Sequence, residues 1–121
     1  MSTVPETVHA YGAAWNETDA ERRRRLLELA WAEHGVYLDP TAHVEGRAAL
    51  HAHIAGFHAQ MPGARLSLTS GVDEHHGRIR FTWVMRGADG ATVVEGVDFG
   101  DLDADGRLVR IVGFFGPPPP A

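Results

Sequence analysis

The chain has 121 residues, with 11 Lys+Arg against 16 Asp+Glu for a net charge of −5, and it is 44% hydrophobic and 22% charged. That length suits one core, the ordinary composition excludes a disordered or repeat-built chain, and the acidic balance speaks against nucleic-acid binding, which needs a concentrated cationic footprint. Cysteine is absent and every basic side chain is Arg, which excludes disulfides, thiolate chemistry and a lysine Schiff base.

The opening Met1-Ser2-Thr3 has neither a charged n-region nor an apolar h-region, so no signal peptide is expected and a cytoplasmic location is the default. Thr3-Val4-Pro5-Glu6 has capping-box spacing, and Val4, Val8, Tyr11 and Trp15 form one apolar stripe of a first helix. Thr18-Asp19-Ala20-Glu21 reads as a second capping box. The helix it opens buries Leu26, Leu27, Ala30 and Trp31 and stops at Gly35. Its basic run, Arg22-Arg23-Arg24-Arg25, lies between Glu21 and Glu28 and reads as a solvated face. A short extended piece, Val36-Tyr37-Leu38, leads into Asp39-Pro40, because the residue before proline avoids helical geometry. The spacing of Leu50, Ile54, Phe57 and Met61 predicts a third helix over Arg47 to Gln60, ended by Pro62-Gly63.

From Leu66 the period changes to two. Leu66 and Leu68 begin a strand. Arg78 to Arg86 is the clearest one, with Ile79, Phe81, Trp83 and Met85 on one face. Asp89-Gly90 supplies a hairpin turn before Thr92 to Leu102, and a turn at Asp103-Ala104-Asp105-Gly106 precedes Leu108 to Phe115. The tail Pro117-Pro118-Pro119-Pro120 cannot join a ladder. Three helices followed by an antiparallel meander define an α+β domain over 1–116 with a Pro-rich tail over 117–121. No apolar run approaches the ~20 residues of a membrane span.

Three residues stand out chemically. Asp39 ends a short apolar strand before a stiff Pro40, which makes it either a partly desolvated base or a turn-capping carboxylate. Asp98 interrupts the apolar run Val93-Val94-Glu95-Gly96-Val97-Asp98-Phe99 and shares a face with Val94, Gly96 and Leu102. An acid there is paired, with a neighbouring-strand Arg, or protonated, or open to a cavity. Tyr11, on the first helix's apolar stripe, is a core tyrosine or a hydroxyl donor. The eight histidines do not make a metal site, because no pair in His51, His53 and His58 has the four-residue helical spacing of ligands, and His75-His76-Gly77 reads as a turn. His53 borders the Leu50, Ile54 and Phe57 face and is the histidine expected to look into a pocket. Ser2, Ser67 and Ser70 lie in no nucleophile elbow. The aromatics Tyr37, Trp83, Phe114 and Phe115 suit a core or an apolar pocket.

Trp15-Asn16, Tyr37-Leu38-Asp39-Pro40, Gly46-Arg47 and Asp105-Gly106-Arg107 together resemble the NTF2-like superfamily, particularly its SnoaL-like and ketosteroid isomerase branch, over about residues 4–115. The resemblance implies a cone of N-terminal helices on a strongly curved, mostly antiparallel sheet. It also implies a cofactor-independent enzyme for a small apolar, carbonyl-bearing molecule (polyketide- or steroid-like). Asp39 falls on the family's proton-shuttling base, Asp98 on its protonated oxyanion-hole acid and Tyr11 on the donor tyrosine, with Trp15 as the alternative donor. Trp15, Trp31, His53, Phe57 and Phe81 are then expected along the substrate, with Trp83 and with Phe115 as a wall on the last strand. Trp31 and Ile54 stand where the isomerases buttress the tyrosine with further tyrosines. Gly113 stands where limonene epoxide hydrolases need an acid. Water elimination of the scytalone dehydratase type would use His53 or His76 with Asp39.

Two functions follow: isomerisation, cyclisation or dehydration without cofactor, or a non-catalytic ligand-binding or dimerisation module on the same cone. A homodimer is implied in either case, through the outer face that carries Val97 and Phe99. The two separate on whether Asp39 and Asp98 share one cavity or Asp98 pairs with an Arg on the outer face.

Overall fold

The computed structural model describes residues 3–121; Met1 and Ser2, with the expectation about a leader, lie outside the described residues. Helix α1 spans Val4–Asn16, and Thr3 closes the foreseen capping box with Glu6. Helix α2 spans Ala20–Ala30, and its cap is Asp19 rather than Thr18, since the Asp19 carboxylate accepts from the Arg22 N–H at 2.9 Å. The helix ends five residues short of Gly35, and Trp31 opens strand β1, Trp31–Asp39. Gly35 is an in-strand glycine instead: a Cβ there would stand 2.6 Å from the Trp31 indole nitrogen, at an irregularity in the β1 register between Trp31 and Val36. The indole thus folds over its own strand where only glycine leaves room.

Strand β2, Ala42–Glu45, pairs with β1, and α3 follows at Arg47–Gln60. Strands β3 (Arg65–Leu68), β4 (Asp73–His75), β5 (Arg78–Arg86), β6 (Thr92–Leu102) and β7 (Leu108–Phe115) complete one sheet in the order β2-β1-β7-β6-β5-β3, with β4 on β5. It is mixed rather than a pure antiparallel meander, because β1 joins β7 in parallel. The three helices cover the sheet's inner face, over a core that includes Val8, Leu27, Trp31, Leu50, Ile54, Ile79, Leu108 and Ile111. Among the described residues no helix is long and apolar enough to cross a membrane.

The motif residues staple these layers together. The Asn16 side chain donates to the Leu66 carbonyl at 2.7 Å and accepts from its N–H at 2.8 Å, which ties the end of α1 to β3. Arg47 donates to the Trp31 carbonyl at 2.8 Å, and Arg107 to the Glu28 carbonyl at 2.9 Å. One arginine of the supposed solvated run is buried: Arg23 is 3% exposed and donates to the carbonyls of Glu17 and Thr18, at the spent end of α1. Unpaired carbonyls at a helix C-terminus attract a cation, and this one is held inside the fold.

Candidate functional site

An apolar cavity of about 380 Å³ lies between α1, α3 and the concave face of the sheet. Tyr11 and Trp15 come from one face of α1, and His53 and Phe57 from one face of α3. The sheet supplies Tyr37 and Asp39 from β1, Phe81, Trp83 and Met85 from β5, and Asp98 and Phe115 from β6 and β7. Alternation aims these side chains inward, since Tyr37 and Asp39 are two apart in one strand, as are Phe81, Trp83 and Met85 in another. The aromatic walls meet edge-on: Trp83 and Phe115 at 5.8 Å, Trp15 and Phe57 at 5.7 Å.

Asp98 stands at the deep end, 6% exposed. Its Oδ1 accepts from the Trp83 indole N–H at 2.9 Å, and among the described residues no arginine pairs with it. The arginine pairs of β6 belong to Asp101 on the other face, which meets Arg78 at 3.1 Å and Arg110 at 3.3 Å. Room for the buried carboxyl comes from Gly113, its partner residue on β7: a Cβ there would lie 2.8 Å from Asp98 Oδ1 and 3.7 Å from Asp39 Cβ. The two acids therefore border the same methyl-sized gap. Burial pushes the Asp98 carboxyl up to about 7, the Asp39 charge adds to the rise and the Trp83 hydrogen bond opposes it.

Asp39 sits in different surroundings, half-buried at the end of β1. Its Oδ1 accepts from the Thr41 N–H at 2.7 Å and the Thr41 hydroxyl at 2.8 Å, and its Oδ2 accepts from the Tyr37 hydroxyl at 2.5 Å. The turn-capping arrangement and the cavity-facing one thus coexist in a single carboxylate. A carboxylate has about four acceptor sites. Three donors orient this one and leave a lone pair open.

Tyr11 is 3% exposed and stacks on Trp31 at 5.5 Å and 17°. Burial, then the charge of Asp98, holds its phenol well above the ordinary range, with Trp15 acting in the opposite sense, so it stays a donor. Trp31 does not line the cavity as expected. It is fully buried behind Tyr11, because a residue beginning β1 cannot continue the helical stripe. The remaining expected wall residues, Trp15, His53, Phe57, Phe81, Trp83 and Phe115, all reach the cavity. His76 lies in the exposed β4–β5 turn at φ 52°, away from it. Tyr37 was legible only as an aromatic. Its position two residues before Asp39 in an extended segment was the signal for a shared face, and burial holds its phenol far above the ordinary range.

Helices wrapped on a curved mixed sheet, with an acid-bearing hollow between them, define an α+β cone. A family model for the SnoaL-like domain matches residues 8–111, and the chain belongs to that family. A candidate isomerase of the SnoaL-like family from Agrobacterium tumefaciens strain C58 is 39% identical over 92% of this chain and 95% of its own, with a TM-score of 0.86. A candidate polyketide cyclase from Sinorhizobium meliloti shares the fold at 16% identity, over 90% of this chain and 94% of its own, with a TM-score of 0.72. A protein with a cystatin-like fold from Methylobium petroleophilum PM1 matches at 14% identity, over 97% of this chain and 78% of its own, with a TM-score of 0.78. A comparison with curated proteins finds no match.

Proposed function

We propose that this chain is a cofactor-independent enzyme that moves a proton alpha to a carbonyl of an apolar molecule. Asp39 is the base, and Tyr11 and neutral Asp98 are the donors to the oxygen on which charge develops. The observation that carries this reading is a pair of acids in unlike surroundings on one apolar hollow, Asp98 buried against a single donor and Asp39 half-buried under three. An apolar site that keeps a carboxylic acid neutral lets it donate a hydrogen bond.

The substrate C–H proton passes to the open lone pair of Asp39, and the electron pair it leaves moves onto the carbonyl oxygen. Tyr11 and Asp98 stabilise that enolate. Return of the proton to another carbon completes an isomerisation. Attack of the enolate carbon on a second carbonyl closes a ring, and loss of a β-hydroxyl as water gives a dehydration. The description of the Agrobacterium relative accords with the first outcome and that of the Sinorhizobium neighbour with the second. A polyketide- or steroid-like ketone suits the aromatic walls.

Solvent-deuterium incorporation into a panel of small cyclic ketones, followed by NMR, tests the reading. Wild type exchanges the alpha protons of at least one, Asp39→Asn abolishes exchange, and Asp98→Ala slows it by about 10²–10³, the usual effect of removing an oxyanion donor. Exchange that survives Asp39→Asn, or none with any ketone, contradicts it. The outer face, where exposed Phe99 and Phe114 meet at 6.1 Å, supports a homodimer; sedimentation of Phe114→Lys beside wild type tests the assembly.

A further inference from the structure

Two glycines lie inside helices, Gly12 in α1 and Gly56 in α3, and both line the cavity. A glycine in a helix interior weakens it relative to alanine, so such positions call for a reason. Neither has a left-handed backbone. Packing does not account for them either. At Gly96, Gly100 and Gly113 a Cβ would strike a neighbour at 2.8 Å or less, whereas at Gly56 it would meet nothing within 4 Å. At Gly12 the nearest atom is Leu68 Cδ1 at 3.5 Å, an ordinary contact. At Gly56 an added side chain would enter open space at an exposed part of the cavity wall, and at Gly12 it would lie against Leu68 of β3.

That space is the open end. Gly56 belongs to the stripe His53, Gly56, Phe57 and Gln60 of α3; Gly56 and Gln60 are exposed, as is Ser67 across the cavity on β3. Tyr11, Phe81 and Asp98, at the other end, are buried. No arginine is among the lining residues and two carboxyl groups, Asp39 and Asp98, are, which disfavours an anionic ligand.

We propose that the gap over Gly56 is a channel through which an elongated, uncharged ligand projects from the chamber, and that residue 56 sets the length accepted. The inference rests on the proton-transfer reading for its orientation, with the carbonyl head at Asp98 and Tyr11. It narrows the substrate class to molecules with a compact head and an apolar body that leaves the chamber past Gly56, on the side where Gln60 and Ser67 are exposed.

The test is the affinity of the whole chain for 2-naphthol and for its 6-ethyl, 6-butyl and 6-hexyl derivatives, which carry the body opposite the hydroxyl. In wild type, affinity rises with chain length, by about fourfold for each fully buried methylene. In Gly56→Leu and Gly56→Gln the ratio of hexyl to unsubstituted affinity falls tenfold or more. Gly56→Ala raises Tm by about 3–6 °C, as expected of a helix glycine with no packing duty. A wild-type affinity indifferent to chain length, or an unchanged ratio in both bulky variants, overturns the channel and leaves the proton-transfer reading standing. Failure of wild type to bind 2-naphthol at all overturns both.

Discussion

Replacing Asp98 by Asn separates the cost of its ionisation from everything else in the fold. The amide keeps an oxygen for the Trp83 N–H and cannot titrate. In the native chain burial raises the Asp98 carboxyl from an ordinary 3.8 to about 7. Below about pH 4 it is protonated folded and unfolded, and it adds no pH dependence. Between about 4 and 7 the unfolded chain ionises while the folded chain holds its proton, so stability falls as pH rises. Above about 7 both forms are ionised and the loss is constant. Three units at 1.36 kcal/mol each make that loss about 4 kcal/mol. Urea unfolding of wild type and Asp98→Asn at matched pH values from 4 to 8 measures it, because other carboxylates cancel in the difference. The Asn variant gains on wild type by about 4 kcal/mol between the two extremes. A difference that stays within about 1 kcal/mol across that range would refute a buried, neutral-leaning Asp98.

Trp83→Phe removes the one side-chain donor to Asp98 among the described residues, which opposes the rise in its pKa, so the carboxyl titrates at higher pH than in wild type; a ¹³C-carboxyl NMR titration reads the direction. Gly113→Ala puts a methyl 2.8 Å from Asp98 Oδ1 and displaces the acid, so 2-naphthol affinity measured by fluorescence falls about tenfold, or about 1.4 kcal/mol. Arg23→Ala leaves the Glu17 and Thr18 carbonyls without their charged donor and lowers stability by about 2–4 kcal/mol in urea unfolding, with ketone exchange unchanged in the folded fraction.

The strand and helix edges with strong punctuation were readable in advance. Helix α3 and strands β5, β6 and β7 have the foreseen bounds, because period and turn residues agree there. Short β2 and β4 carry too few residues for a period, and they exist through pairing with β1 and β5. The parallel β1–β7 pairing was hidden because periodicity says which face is buried and nothing about the neighbour. Trp31 departs from its pattern for a related reason: its apolar spacing continues the α2 stripe, and only the fold turns it into a strand residue behind Tyr11. Arg23 could have been found, since it shares a helical face with Leu27 and Ala30 at i+4 and i+7. At the cavity, Asp39, Asp98 and Tyr11 stand out by their own places in the pattern, the resemblance assigns them to one site, and all three line the hollow. The Tyr37–Asp39 bond and the space provided by Gly113 depend on distances that no spacing encodes.

The most direct measurement is binding of 2-naphthol, an enolate mimic, to wild type and Asp39→Asn near neutral pH. The proton-transfer account predicts saturable binding to both, at least as tight in the Asn variant, where a repelling negative charge has gone. Absence of saturable binding in either protein, or a large loss on Asp39→Asn, would contradict it.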